Sequence, residues 1–184
     1  MISVREANEN DIDGIFNIEN SSFTVPWSRE MIEETFENNY TKVFAADDGE
    51  ELVGYASVGL MVPDAELLSI AVDPQRRREG IGEMLFDSIL AYLDKKDVSY
   101  LFLEVRESNE AAIELYLKKG FEVIGKRKQY YQKPVEDAVL MHYKNEVEKY
   151  YARYLFARHR WNDAIAKKVF DIAYVSLQRK QYID

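Results

Sequence analysis

Two hydrophobic periods alternate along this chain, one of about two residues and one of about 3.6. Residues 2–7 alternate and predict a short strand. Asn8 or Asn10 supplies an N-cap for a helix carrying Ile12, Ile15, Phe16 and Glu19. Val25-Pro26-Trp27-Ser28 breaks that pattern, and Ser28 fits the cap of a second helix running to about Phe36. Strands follow at 40–46 and 52–62 around the turn-forming Asp47-Asp48-Gly49-Glu50, and a third at 66–72, closed by Asp73-Pro74. Ile81, Leu85, Ile89 and Leu93 recur every four residues and mark a strong helix. A strand at 100–105 puts Leu101, Leu103 and Val105 on one face and Phe102 and Glu104 on the other. A helix capped by Ser108 or Asn109 runs to Lys119, with Gly120 at its C′ position. Segments 121–132 and 138–143 read as a final hairpin. The order β, α, α, β, β, β, α, β, α, β, β places β–α–β crossovers beside consecutive antiparallel strands. It predicts an α/β (α+β) fold: one mixed, mostly antiparallel central sheet with helices on both faces.

Composition narrows the chemistry. The 184 residues include no cysteine, which removes disulfides, thiolate metal sites and an acyl-cysteine intermediate. The two histidines, His142 and His159, have no metal-ligand spacing, so no metal is expected. The first ten residues hold no apolar stretch like that of a secretory leader, and no run approaches the roughly 18 residues of a membrane span. The expectation is a soluble, cytoplasmic protein with no membrane partner. The net charge of −9 is uneven. Residues 1–143 carry 15 basic against 28 acidic side chains, and 144–184 carry 9 against 5. The acidic body should repel nucleic acid and attract basic peptides.

The first candidate site is Arg77-Arg78-Glu79-Gly80-Ile81-Gly82, between a strand end and a helix start. Glycine lets backbone approach a ligand closely. The amides opening a helix point outward, where the helix dipole favours an anion, and arginines add charged donors. Together they suit a pyrophosphate. A Walker loop would need Gly-Lys-Ser/Thr, and a dinucleotide loop a third glycine; both are absent. The second is Glu104 with Tyr116. A carboxylate can deprotonate an amine and a phenol can protonate a leaving group. The same two residues would also suit an exposed strand glutamate and a core tyrosine.

The run Ile70-Ala71-Val72-Asp73-Pro74-Gln75-Arg76-Arg77-Arg78-Glu79-Gly80-Ile81-Gly82 resembles the acyl-CoA motif of the GNAT acetyltransferases, Arg/Gln-x-x-Gly-x-Gly/Ala, with Arg77, Gly80 and Gly82 matching. The resemblance implies acetyl-CoA as cosubstrate. Its pantetheine arm would lie on the backbone of Ile70, Ala71 and Val72, in a slot splayed from the strand at 100–105. Its pyrophosphate would lie on the amides of Arg78, Glu79, Gly80, Ile81, Gly82 and Glu83. Residues 101–121 resemble the bacterial ribosomal-protein alanine N-acetyltransferases, a branch of GNAT. That resemblance implies Glu104 as proton acceptor, Tyr116 as proton donor and Asn109 as a coenzyme A contact. Pro26-Trp27-Ser28 and the segment with Tyr130-Tyr131 also match, in loops that border the peptide groove of that branch. Tyr130 and Tyr131 should alternate faces, so at most one can face a given ligand. The acceptor implied is a protein N-terminus, the N-terminal alanine of small-subunit ribosomal protein eighteen. Ser69 stands where that branch commonly has asparagine, and Val25 where a larger residue is common, so peptide preference is the less defined part.

The likeness covers about residues 2–143 and defines a catalytic domain, 1–144. The segment 145–184 lies outside it and reads as two helices. Val147, Tyr151, Tyr154, Leu155 and Arg158 form one stripe, and Trp161, Ile165, Val169 and Ile172 another, with Phe170, Tyr174 and Leu177 on a second face. A helix apolar on two faces needs two surfaces to bury them, on its own domain or across a homodimer. Two other functions compete with N-terminal acetylation: acetylation of a polyamine or amino-sugar, and non-catalytic sensing of acyl-CoA.

Overall fold

The computed structural model describes residues 1–96 and 98–145. Eleven helices and strands of this part follow the expected order: β1 (Ser3–Glu6), α1 (Ile12–Ser22), α2 (Arg29–Glu37), β2 (Thr41–Asp47), β3 (Leu52–Met61), β4 (Asp64–Val72), α3 (Ile81–Leu93), β5 (Tyr100–Arg106), α4 (Glu110–Lys118), β6 (Glu122–Gln132) and β7 (Val135–Lys144). The expected helical extension, with its stripes and His159, lies outside the described residues from 146 onward. No described helix is long and apolar enough to cross a membrane.

The strands form one seven-stranded sheet in the order β1-β2-β3-β4-β5-β7-β6. β1 through β4 pair antiparallel in succession, as do β6 and β7, while β4 and β5 pair parallel. Each face carries its own core. On one, Ile81, Leu85, Phe86, Ile89 and Leu93 of α3 pack with Leu101, Leu103 and Val105 of β5 and with Tyr116 of α4. On the other, Ile15 and Ile18 of α1 and Ile32 of α2 pack on Val43, Tyr55 and Ala71. The expected alternation of β5 holds: its odd-numbered residues 101, 103 and 105 are buried in the α3 core, and Glu104 is on the opposite face.

Gly54 sets how close α3 lies to the sheet. A Cβ there would meet Ala71 O and Ile81 Cγ2, each at 3.1 Å, and Leu85 Cδ1 at 3.2 Å. The missing side chain lets the first turn of α3 rest on β3 beside β4. That contact fixes where the helix N-terminus emerges.

Three boundaries differ from the sequence reading by more than a residue. β4 begins at Asp64, two residues early. β7 begins at Val135, because Arg106 Nη1 and Nη2 donate to Pro134 O (3.3 Å) and Lys133 O (3.0 Å) and hold the turn against β5. Asn8 caps a short 3₁₀ turn (Glu9–Asp11) in a capping box, and α1 starts only at Ile12. That corner is closed by Asp11, which accepts Arg5 Nη1 and Nη2 at 2.8 Å each and Asn8 N–H at 2.8 Å.

The hydrogen bond from Arg5 outweighs the opposing effect of burial and lowers the Asp11 pKa. A lowered carboxylate stabilises the fold above its unfolded pKa and loses that contribution as pH falls through the folded value. Asp11→Asn is therefore expected to cost about 1–3 kcal/mol at neutral pH. The gap from wild type should close below the usual carboxylate range, as urea melts at neutral and acidic pH would show.

Candidate functional site

β4 and β5 are in register only from Asp64↔Tyr100 to Glu66↔Phe102. Past that point both strands continue, β4 to Val72 and β5 to Arg106, but they part. The edge of β4 that faces β5 thus loses its strand partner, and its backbone polar groups are left for something else to bond. A β-bulge begins at the same place. Ser57 pairs with Ser69 and Val58 with Leu67, leaving Leu68 as the extra residue. A cleft of about 580 Å³ opens there, lined by Leu67 to Val72 from β4, Glu104 to Arg106 from β5, and Phe23, Val25 and Trp27 from the loop between α1 and α2.

The glycine loop stands at one end of this cleft. Gly80 has φ +81° and Arg78 φ +70°, both left-handed. At Gly80 nothing lies within 4 Å of an added Cβ, so backbone conformation and not space calls for glycine. The first bond of α3 is Met84 N–H to Gly80 O at 3.1 Å. The amides of 81–83 therefore have no acceptor within the helix. Ile81 contributes backbone only, because its side chain is buried in the core. Glu83 is drawn away by Lys118 (2.9 Å) and Lys119 (3.1 Å). The arginines divide. Arg76 is committed to Asp48 (2.6 Å) and Glu79 (2.9 Å), whereas Arg77 lines the cleft. Among the described residues neither Arg77 nor Arg78 makes an ion pair, so these two are the cations left for a phosphate. An unpaired strand edge leading to free amides and two free guanidinium groups fits an extended, pyrophosphate-bearing thioester such as acetyl-CoA.

Of the expected donor contacts, Ile70, Ala71, Val72, Arg77 and Asn109 line the cleft, while 78–83 form the turn and helix start beside it. Asn109 also caps α4, its Oδ1 accepting Ala112 N–H at 3.3 Å.

Glu104 and Tyr116 line the same cleft. Glu104 is not surrounded only by apolar groups. Its carboxylate pairs with Arg127 Nη1 at 2.5 Å and lies near the Tyr130 hydroxyl, whose pKa it raises. Tyr116 is both core residue and cleft residue. Its ring lies 5.6 Å from that of Phe86 and 5.7 Å from that of Phe121. Burial, reinforced by nearby Tyr131, pushes its pKa well above that of a free phenol, so the hydroxyl keeps its proton.

Of the tyrosine pair only Tyr131 lines the cleft, as expected, but the strict alternation behind that expectation does not hold. Strict alternation would send Tyr130 and Tyr131 to opposite faces. β6 instead has three residues, 128–130, opposite Asp137, with Gln129 at φ +51° and its N–H donating to Asp137 Oδ1 at 2.8 Å. The bulge turns both rings to one side, 5.1 Å apart and nearly perpendicular. Tyr131 lines the cleft and stacks under Arg106 at 4.2 Å, while Tyr130 holds Glu104. Nothing in the pattern of apolar residues announces that bulge. Trp27 lines the cleft while packing on the α1/α2 core, and Pro26 does not line it.

Glu19 has the most unexpected place. Read from sequence as one position of an amphipathic helix, it is 1% exposed and lines the cleft floor.

A β-bulged strand parted from its parallel neighbour, beside a helix that begins on a left-handed glycine, is the arrangement of one large class of acyl-CoA enzymes. The model of the Acetyltransferase (GNAT) family matches residues 12–121, and the chain belongs to that family. Family members use acetyl-CoA as donor. A Bacillus subtilis relative, provisionally named a [ribosomal protein bS18]-alanine N-acetyltransferase, is 39% identical over 140 residues, covering 76% of this chain and 93% of its own. The Escherichia coli (strain K12) [ribosomal protein bS18]-alanine N-acetyltransferase is 32% identical over 143 residues, covering 77% and 96%. The crystal structure of the Escherichia coli ribosomal-protein-S18-alanine N-acetyltransferase superposes with a TM-score of 0.74 at 30% identity, covering 78% of this chain and 94% of that one.

Gly80→Ala places a Cβ on a left-handed residue, and about 1–2 kcal/mol of stability should be lost. If the amides of this turn hold the pyrophosphate, the same variant should bind coenzyme A about tenfold more weakly. Thermal unfolding and calorimetry check the two effects separately.

Proposed function

We propose that this enzyme transfers acetyl from acetyl-CoA to the α-amine of a protein N-terminus, the N-terminal alanine of ribosomal protein bS18, in the cytoplasm. The observation that carries the reading is the meeting of Glu104 and Tyr116 in one cleft, at the point where β4 and β5 part. The identities of 39% and 32% to bS18-alanine N-acetyltransferases support this acceptor. So does an aromatic entrance built from Trp27 and Tyr131, which suits a peptide better than a small polyamine.

Acetyl-CoA supplies an acetyl group activated as a thioester. The chain does the rest. An α-amine has a pKa near 8, so it needs only a modest base, and Glu104 takes its proton directly or through one water. Arg127 and Tyr130 hold that carboxylate in a fixed orientation. As the amine nitrogen bonds the carbonyl carbon, backbone N–H groups near Ile70 and Ala71 stabilise the charge growing on the carbonyl oxygen. The carbon–sulfur bond breaks, and Tyr116 Oη donates its proton to the departing sulfur. The role suits a phenol that burial keeps protonated.

Tyr116→Phe retains the ring packing on Phe86 and Phe121 and removes only the hydroxyl. With Glu104→Gln, it is expected to lower kcat by about 10²-fold or more while leaving coenzyme A affinity within a few fold. A thiol-release assay is the measure. Peptides with the N-terminus of bS18 should be turned over, and spermine and glucosamine should not. Wild-type turnover in both variants would remove the assigned roles, and preference for the small amines would remove the proposed acceptor.

A further inference from the structure

Glu19 is a carboxylate buried in the α1/α2 face of the domain, and its hydrogen bonds join the loop between α1 and α2 to β3 and β4. Oε2 accepts the backbone N–H of Trp27 at 2.8 Å. Oε1 accepts the hydroxyl of Ser69 at 3.1 Å and that of Tyr55. Tyr55 Oη and Ser69 Oγ are themselves 2.7 Å apart. One side chain of α1 therefore grips the loop between α1 and α2 with one oxygen and β4 with the other. The β4 contact lies beside the bulged Leu68, one residue before Ile70.

Stability alone does not call for this arrangement. Burial raises the Glu19 pKa against the opposing hydrogen bonds from Trp27 and Ser69. Holding an ionisable carboxylate out of water carries a desolvation cost that a neutral side chain would not. The group does, however, fix a distance. Phe23, Val25 and Trp27 form one wall of the cleft and the unpaired edge of β4 forms another. Phe23 and Val25 are exposed apolar side chains on an irregular segment, which begins with Phe23 N–H donating to the Glu19 backbone oxygen at 3.0 Å and ends with Trp27 N–H held by the Glu19 carboxylate.

Resting on the acetyl-transfer reading, we propose that Glu19 is a positioning residue for the acceptor. Its carboxylate ties the 23–27 wall to β4 and so sets the width of the acceptor side of the cleft and which N-terminal residues fit there. Ser69 and Tyr55 complete the tie at the β4 end. The coenzyme end, at Arg77 to Gly82, does not touch this network and keeps its geometry without it.

Glu19→Gln tests the tie with little change of volume. Its amide nitrogen cannot accept, so one of the two anchored sides is released. Loss of a hydrogen bond to a charged group should raise KM for the acceptor about tenfold. Coenzyme A affinity by calorimetry should stay within about twofold, because a displaced loop weakens the orientation of the acceptor alone. The ratio of kcat/KM for peptides beginning with alanine to that for peptides beginning with a larger residue should fall. A merely structural role would lower stability or affect both substrates alike, and would leave that ratio unchanged. Ser69→Ala and Tyr55→Phe, which loosen only the β4 end, should move acceptor KM and the ratio in the same direction by a smaller amount. They decide the matter if Glu19→Gln does not fold. An unchanged acceptor KM and unchanged ratio in the folded variants, or an equal loss of coenzyme A affinity, overturns the proposal. The acceptors compared are those the wild type turns over, with spermine included. Failure of the N-terminal acetylation reading therefore shows in the wild type, and failure of the positioning role only in the variants.

Discussion

A parallel pair of strands that stops pairing halfway leaves a row of backbone N–H and C=O groups facing a gap. In a folded interior such groups are costly unless bonded. Beyond Glu66 and Phe102, β4 and β5 have that relation, and each functional feature of this domain is arranged around it. The gap suits an extended chain with its own amide groups, which could meet the strand edge as another strand would. The free amides of α3 lie at one end and the Glu104–Tyr116 pair on the β5 side. The two cores hold the gap open from both faces, α3 resting on Gly54 below one side of it and α1 and α2 covering the other.

The acidic and aromatic groups of the cleft are controlled by the outermost hairpin as much as by the central strands. Arg106 fixes the β6–β7 turn through two carbonyl groups, pairs with Glu136 at 3.1 Å and carries Tyr131 on its guanidinium. Arg127 and Tyr130 reach back from β6 to Glu104. The carboxylate proposed as base thus rests against an edge hairpin, and the loop proposed as the acceptor wall is tied to a carboxylate of α1.

Much of this was legible in the sequence. The four-residue recurrence of Ile81, Leu85, Ile89 and Leu93 defined α3, and the alternation of Leu101, Leu103 and Val105 put Glu104 on the cleft face. The glycines after Arg78 marked the turn that opens α3. Other features depend on contacts that no local pattern records. The bulge at Gln129 brings both tyrosines to one side. Arg76 is removed from the phosphate set by Asp48, 28 residues away along the chain. Glu19 joins residues 8, 36 and 50 positions distant, and a helix period shows only that it faces inward. Ser69 was readable as a departure from its branch, but its meaning lies in the hydroxyl that meets Glu19 and Tyr55.

The central claim is that a coenzyme lies along the unpaired edge of β4 with its phosphates on the first amides of α3. Backbone amide hydrogen exchange with and without saturating coenzyme A tests it most directly. Exchange should slow at residues 70–72 and 78–83, with α2 and β1 unchanged. Equal exchange at both segments in the presence of coenzyme A, or protection confined to other parts of the domain, would contradict it.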